Sequence, residues 1–241
     1  MATKLRWRKI GGVNIFELSG VFAGSELERN KTEMQTILKK NPSSGLLIDL
    51  REVEKIDLAG AQTILDAARQ THKGGILGQN LSAYYVAEQM EPNEPIPIFE
   101  KDREVINYFD REFAELDLNP EMEKRRFPRI ATALPAELEF KDEKNIYFFD
   151  TVVLNLSEGG FFGKFLDSKT EELASRLLDP YDLKMLKIRL SLRGKILRTE
   201  GKVLRAEAET TGASGVAIQF YNLRPEDREK VQVFLESNNK S

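Results

Sequence analysis

The chain has 241 residues, 41% hydrophobic and 31% charged, with a formal net charge of −3. That is globular composition of a length suited to two ordinary domains, and no apolar run nears the roughly 18 residues of a membrane span. With no cysteine and a single histidine, His72, disulfides and thiol chemistry are excluded and a zinc site or catalytic triad is hard to build.

The segment Met1 to Lys9 mixes charges with apolar residues and has no signal-peptide core, so a cytoplasmic protein is expected. Trp7, with Leu5 and Ile10, reads as edge-strand packing, and Gly11-Gly12 as a hairpin turn. Val13, Ile15, Phe16 and Leu18 make a strand. Ser25 with Glu28 three residues on is a capping box, opening a helix whose apolar face is Leu27, Met34, Ile37 and Leu38. Gly45 to Leu50 reads as a strand buried on both faces, with Asp49 near its end. Asp57 caps a second helix, in which Ala61, Ile64, Leu65 and Ala68 share a face. His72 is an exposed helix-end residue with no assigned role. A strand is expected at Leu81 to Val86, and Asp102 opens a helix through Val105, Ile106 and Phe109. This alternation predicts an α/β domain over residues 1–112, a sheet covered by helices.

From Asp110 the chain is charged and weakly patterned and is broken by Asn119-Pro120, which places a linker at 113–124. Strand-like runs follow at Ala133–Phe140, Ile146–Leu154, Phe161–Phe165, Met185–Leu192, Lys195–Arg205 and Val216–Tyr221. Short strands in succession, parted by Gly, Asp, Ser and Asn turns, predict a closed six-stranded antiparallel barrel over 125–238. Phe161-Phe162 reads as barrel core. Pro225, Glu226 and Asp227 open a terminal helix with Val231, Val233 and Phe234 on its apolar side.

Charge is split along the chain. Residues 1–120 hold 15 Lys+Arg against 19 Asp+Glu, and residues 121–241 hold 21 against 20. Neither half has the basic excess of a nucleic-acid polymer binder. The densest cationic cluster is Lys124, Arg125, Arg126 and Arg129, where Pro128 disfavours a helix at Phe127 and leaves an extended arm. An arginine fork matches a phosphate, or guanine O6 and N7, through paired hydrogen bonds. Spacing alone says little. Among 17 arginines the four-apart pair is expected about once by chance, and Arg189 with Arg193 and Arg224 with Arg228 share it. Asn155-Leu156-Ser157-Glu158-Gly159-Gly160 is rarer, since Asp/Asn-x-Ser-x-x-Gly is expected only about 0.08 times. It sits between two predicted strands, where amide and hydroxyl groups can meet a base edge and glycine lets backbone approach closely.

These residues resemble a family. Arg125-x-x-x-Arg129, Asn155-x-Ser157-x-x-Gly160 and the later Gly215 to Phe220 are similar to the PilZ domain, a bacterial receptor module for cyclic di-GMP. The resemblance covers residues 123–238 and implies a six-stranded barrel with a C-terminal helix. It also implies that Arg125 and Arg129 take guanine and phosphate, while Asn155, Ser157 and Gly160 hold the other side of the ligand. Leu47-Ile48-Asp49-Leu50 and Ile56-Asp57-Leu58-Ala59-Gly60 resemble the STAS domain of anti-sigma factor antagonists, over residues 3–112. Members switched by a kinase carry a serine where this chain has Leu58-Ala59. A phosphorylation switch at that site is therefore not expected, and a binding or dimerising platform is.

The functional expectation is a non-enzymatic signalling adaptor without cofactor or metal, whose arginine arm orders on cyclic di-GMP and changes domain arrangement or partner binding. The alternative is an interaction or dimerisation module working through residues 1–112 without nucleotide. An enzyme is least supported, since no nucleophile-base pair, metal-ligand set or phosphate loop stands out.

Overall fold

The computed structural model describes residues 3–24, 27–93, 95–115, 129–178, 185–207 and 215–238. The chain divides into two compact units, 1–112 and 113–241. Ser25 of the expected capping box, and residues 116–124 of the expected linker, lie outside the described residues.

In the first unit, β1 (Lys4–Ile10) and β2 (Val13–Phe22) form an antiparallel hairpin. Gly11 turns it with φ 55°, a left-handed value that favours glycine. Trp7 lies on β1, an edge strand, and its indole Nε1 donates to Asn14 Oδ1 at 3.1 Å. Then follow α1 (Leu27–Lys40), β3 (Gly45–Ile56), α2 (Leu58–Arg69), β4 (Lys73–Leu77), α3 (Leu81–Glu88), β5 (Ile98–Phe99), α4 (Asp102–Tyr108) and α5 (Asp110–Phe113). The sheet order is β1-β2-β3-β4-β5, parallel everywhere except β1 with β2. Gly45 to Leu50 is buried on both faces, as its unbroken apolar run requires. One face packs Phe16, Leu46 and Ile48 against Met34, Ile64 and Leu65. On the other, Gly45 and Gly75 leave room for Phe109, whose ring atoms come within 3.0 and 3.2 Å of where their Cβ atoms would be.

Asp57 caps α2, accepting from Gly60 N at 2.8 Å and from Gly24 N at 3.1 Å. His72 is exposed between α2 and β4. Three expectations are corrected. Leu81 to Val86 is helix, not strand. Its Tyr and Val favour strands, but Asn80 caps it through Ala83 N and anchors it by donating to Leu50 O and Val53 O. The strand instead lies at β4, where Gly74 and Gly75 hid it. Asp49 is inside the longer β3, not near its end, and is bonded by the Arg51 guanidinium, which also reaches Asp102. Helix also continues past Asp110. Glu112 of α5 is buried and takes an ion pair from Lys73 at 2.9 Å.

The second unit is a closed antiparallel barrel of β6 (Ile130–Lys141), β7 (Ile146–Ser157), β8 (Gly160–Phe165), β9 (Met185–Leu192), β10 (Lys195–Glu207) and β11 (Gly215–Tyr221). Neighbours run β10-β11-β8-β7-β6-β9, with β9 and β10 closing the ring. Its interior holds Leu138, Phe140, Phe149, Phe161, Leu190 and Ile218. The terminal helix α7 (Pro225–Asn238) packs on this core through Val231, Phe234 and Leu235, whereas Val233 is exposed. A further helix, α6 (Ser168–Leu177), lies between β8 and β9, capped by Asp167 through Thr170 N at 2.8 Å. No described helix is long and apolar enough to cross a membrane.

Candidate functional site

β6 starts at Ile130, β7 ends at Ser157, and β8 starts at Gly160, each longer or earlier than the apolar runs alone indicate. Asn155 and Ser157 are therefore strand residues, and only Glu158 and Gly159 make the turn. Antiparallel register pairs Ile130 with Leu156 and Ala131 with Asn155. That sets Arg129, the residue just before β6, level with Ser157. Four of the five expected site residues, Arg129, Asn155, Ser157 and Gly160, thus meet at one end of the barrel. Arg125 lies outside the described residues, as do Lys124 and Arg126.

Each described member has a distinct local condition. Ser157 is buried, and its hydroxyl donates to Gly160 O at 3.1 Å, which pins the turn and leaves its oxygen able to accept. Gly160 has φ 155°, and a Cβ there would come within 2.1 Å of Ile218 O on β11. Only glycine lets β8 approach β11 this closely. Asn155 Oδ1 is buried with no hydrogen-bond partner among the described residues. A buried amide oxygen left unmet costs about 1–3 kcal/mol, so Asn155 Oδ1 is an acceptor suited to a donor from outside the described residues.

Phe162 adds a group that sequence reading assigned to the core. Phe161 is core, but Phe162 is half-buried, outside the core cluster, and paired across strands with Asn155 and Ala217. Its ring lies over Gly215, whose Cβ would fall 2.1 Å from the Phe162 Cζ. Strand alternation was the available signal: if Phe161 points inward, Phe162 points out. The arrangement offers an acceptor, a hydroxyl, a cationic fork and an aromatic face, the groups that hold a base and its phosphate. Among the described residues no group of three or more His, Cys, Asp or Glu is placed to hold a metal ion.

Residues 123–237 match the PilZ family, described as the PilZ domain. No curated protein matches the chain. Among solved structures, YcgR of Escherichia coli in complex with c-di-GMP is 17% identical with a TM-score of 0.36, over 48% of this chain and 46% of that one. The Bacillus subtilis inhibitor of motility is 15% identical with a TM-score of 0.38, over 50% and 53%. In both cases the match spans about half of that protein's length. An anti-sigma factor antagonist from Mycobacterium paratuberculosis is 13% identical with a TM-score of 0.39, over 44% of this chain and 92% of that one. The family match and the barrel fall on the same part of the chain: residues 123–237 match the PilZ domain, and the described barrel with its terminal helix runs from Ile130 to Asn238.

Proposed function

We propose that the chain is a non-enzymatic regulator that binds cyclic di-GMP through its barrel, with Arg125, Arg129, Asn155, Ser157 and Gly160 as the ligand-binding residues. The observation that carries this reading is the unmet Asn155 Oδ1, buried where Arg129 and the Ser157–Gly160 turn converge within a PilZ domain. A guanine edge supplies N–H donors of the kind that this oxygen lacks. The arginine forks supply bidentate, charge-assisted bonds to phosphate or to guanine O6 and N7. Phe162 offers a face on which a base can stack. Ordering the 124–129 segment on the ligand is the proposed signal, and partner binding by the first unit the proposed output.

Calorimetric titration with cyclic di-GMP, GTP and cyclic di-AMP tests this. Wild type is expected to take up cyclic di-GMP and reject cyclic di-AMP, because arginine forks on O6 and N7 find no such pair on adenine. The Arg125→Ala/Arg129→Ala variant is expected to lose the heat, and equal heats in both proteins would remove the site. A second reading, a nucleotide-independent interaction module, is favoured by Leu58 and Leu81, 48% and 87% exposed at the starts of α2 and α3. It gains if wild type takes up no cyclic di-GMP.

A further inference from the structure

The outer wall of the barrel at β6, β9 and β10 carries charges in rows set by strand register. In one row Glu139 is opposite Lys187, Lys187 opposite Glu200, and Glu200 opposite Tyr221. Signs alternate there, and Lys187 Nζ lies 2.6 Å from Glu139 Oε1. The neighbouring row breaks the alternation: Glu137 is opposite Arg189, and Arg189 is opposite Arg198. Like charges directly across a sheet are destabilising. Neither guanidinium has a hydrogen-bond or ion-pair partner among the described residues, and nor has that of Arg224. All three line one cleft of about 530 Å³. Asn222, held at φ 49°, turns the chain out of β11, and Arg224 and the exposed Tyr221 line the same cleft. Two of these arginines come from the four-apart pairs Arg189/Arg193 and Arg224/Arg228, whose spacing alone carried no meaning. Folding joins one member of each.

We propose that this cleft binds a nucleoside monophosphate, at a site separate from the cyclic di-GMP residues. None of its lining residues belongs to β7 or β8, which carry Asn155, Ser157 and Gly160. A phosphate between Arg189 and Arg198 turns their repulsion into bidentate attraction. The volume lies within the range of small-molecule sites, and Tyr221 supplies a face for a base. The acidic lining decides the ligand's charge. Four cations and three carboxylates leave +1, which suits one phosphate and disfavours a polyphosphate. Glu137 and Glu200 only accept, so they call for hydroxyl or amino donors, as sugar and base provide.

Calorimetry of the full chain with AMP tests this, since adenine is a poor ligand for guanine-reading forks. Saturable binding is expected, weakened about tenfold or more in Arg189→Gln/Arg198→Gln, while cyclic di-GMP binding is unchanged. Arg198→Glu restores alternating charge. Without nucleotide it is expected to melt at a higher temperature than wild type, while binding no AMP. Absence of saturable AMP binding by wild type, or equal affinity in wild type and the Gln variant, overturns the proposal. Failure of the Arg125 and Arg129 site leaves this result untouched, because the two titrations use different ligands and different arginines.

Discussion

Two residues at the barrel end behave in opposite ways. Gly160 is fixed by sterics, since any Cβ would collide with the Ile218 carbonyl. The Asn155 backbone is held in the strand, but its buried Oδ1 meets no donor among the described residues. Asn155→Ala is therefore expected to leave urea stability equal to wild type or above it by up to about 1–3 kcal/mol, since it removes a buried acceptor that makes no bond. The same substitution is expected to weaken cyclic di-GMP binding about tenfold, by removing that acceptor from the ligand. A large loss of stability with unchanged binding would instead make Asn155 a structural residue. Its type and spacing were legible in the sequence. Its unmet oxygen was not, because satisfaction depends on neighbours from β6 and β8 that only folding assembles.

Elements were read well where one signal dominated and poorly where signals competed. Asp57 capped α2 as expected, because a cap is a local bond. At Leu81 to Val86 strand propensity pointed one way, and the Asn80 side chain, bonded to Leu50 O and Val53 O thirty residues earlier, pointed the other. Tertiary contact won. The stretch between β8 and β9 was long enough to have signalled a missing element, and α6 fills it. Within the second unit, the β6–β7 turn carries a pH-sensitive lock. Asp142 Oδ1 accepts from Lys144 N and from Asn145 N, each at 2.7 Å. These bonds, that from Lys144 first, hold its carboxyl below the ordinary 3.8. A lowered folded pKa contributes stability above the unfolded value and loses it as pH falls through the folded one. The Lys144 and Asn145 amide resonances are thus expected to hold steady at neutral pH. Below about pH 4 they should move together, and a shift centred near neutrality would contradict the assignment.

At the scale of the molecule, two apolar clusters with no residue in common define two cores, one around Phe16, Ile48 and Ile64 and the other around Phe140, Phe149 and Phe161. Each unit has its own sheet, closed barrel or helix-covered, and its own interior. Scanning calorimetry is expected to resolve two unfolding components. Cyclic di-GMP should raise only the barrel's, because a ligand stabilises the unit whose native state binds it. A single two-state transition, shifted as a whole by ligand, would show the units to be one cooperative body.

The fold class of both units, the six barrel strands, the terminal helix and the spacing of Arg125, Arg129, Asn155, Ser157 and Gly160 were legible in the order of residues alone. These follow from periodicity, turn residues and short-range bonds, all local in the chain. Which strands neighbour one another was set by folding. That choice set Arg129 level with Ser157, turned Phe162 outward beside Asn155, left one amide oxygen unmet, and placed Arg189 opposite Arg198 with Arg224 in the same cleft. Cross-strand register is a long-range property, fixed by barrel closure and core packing and not by any single run of residues.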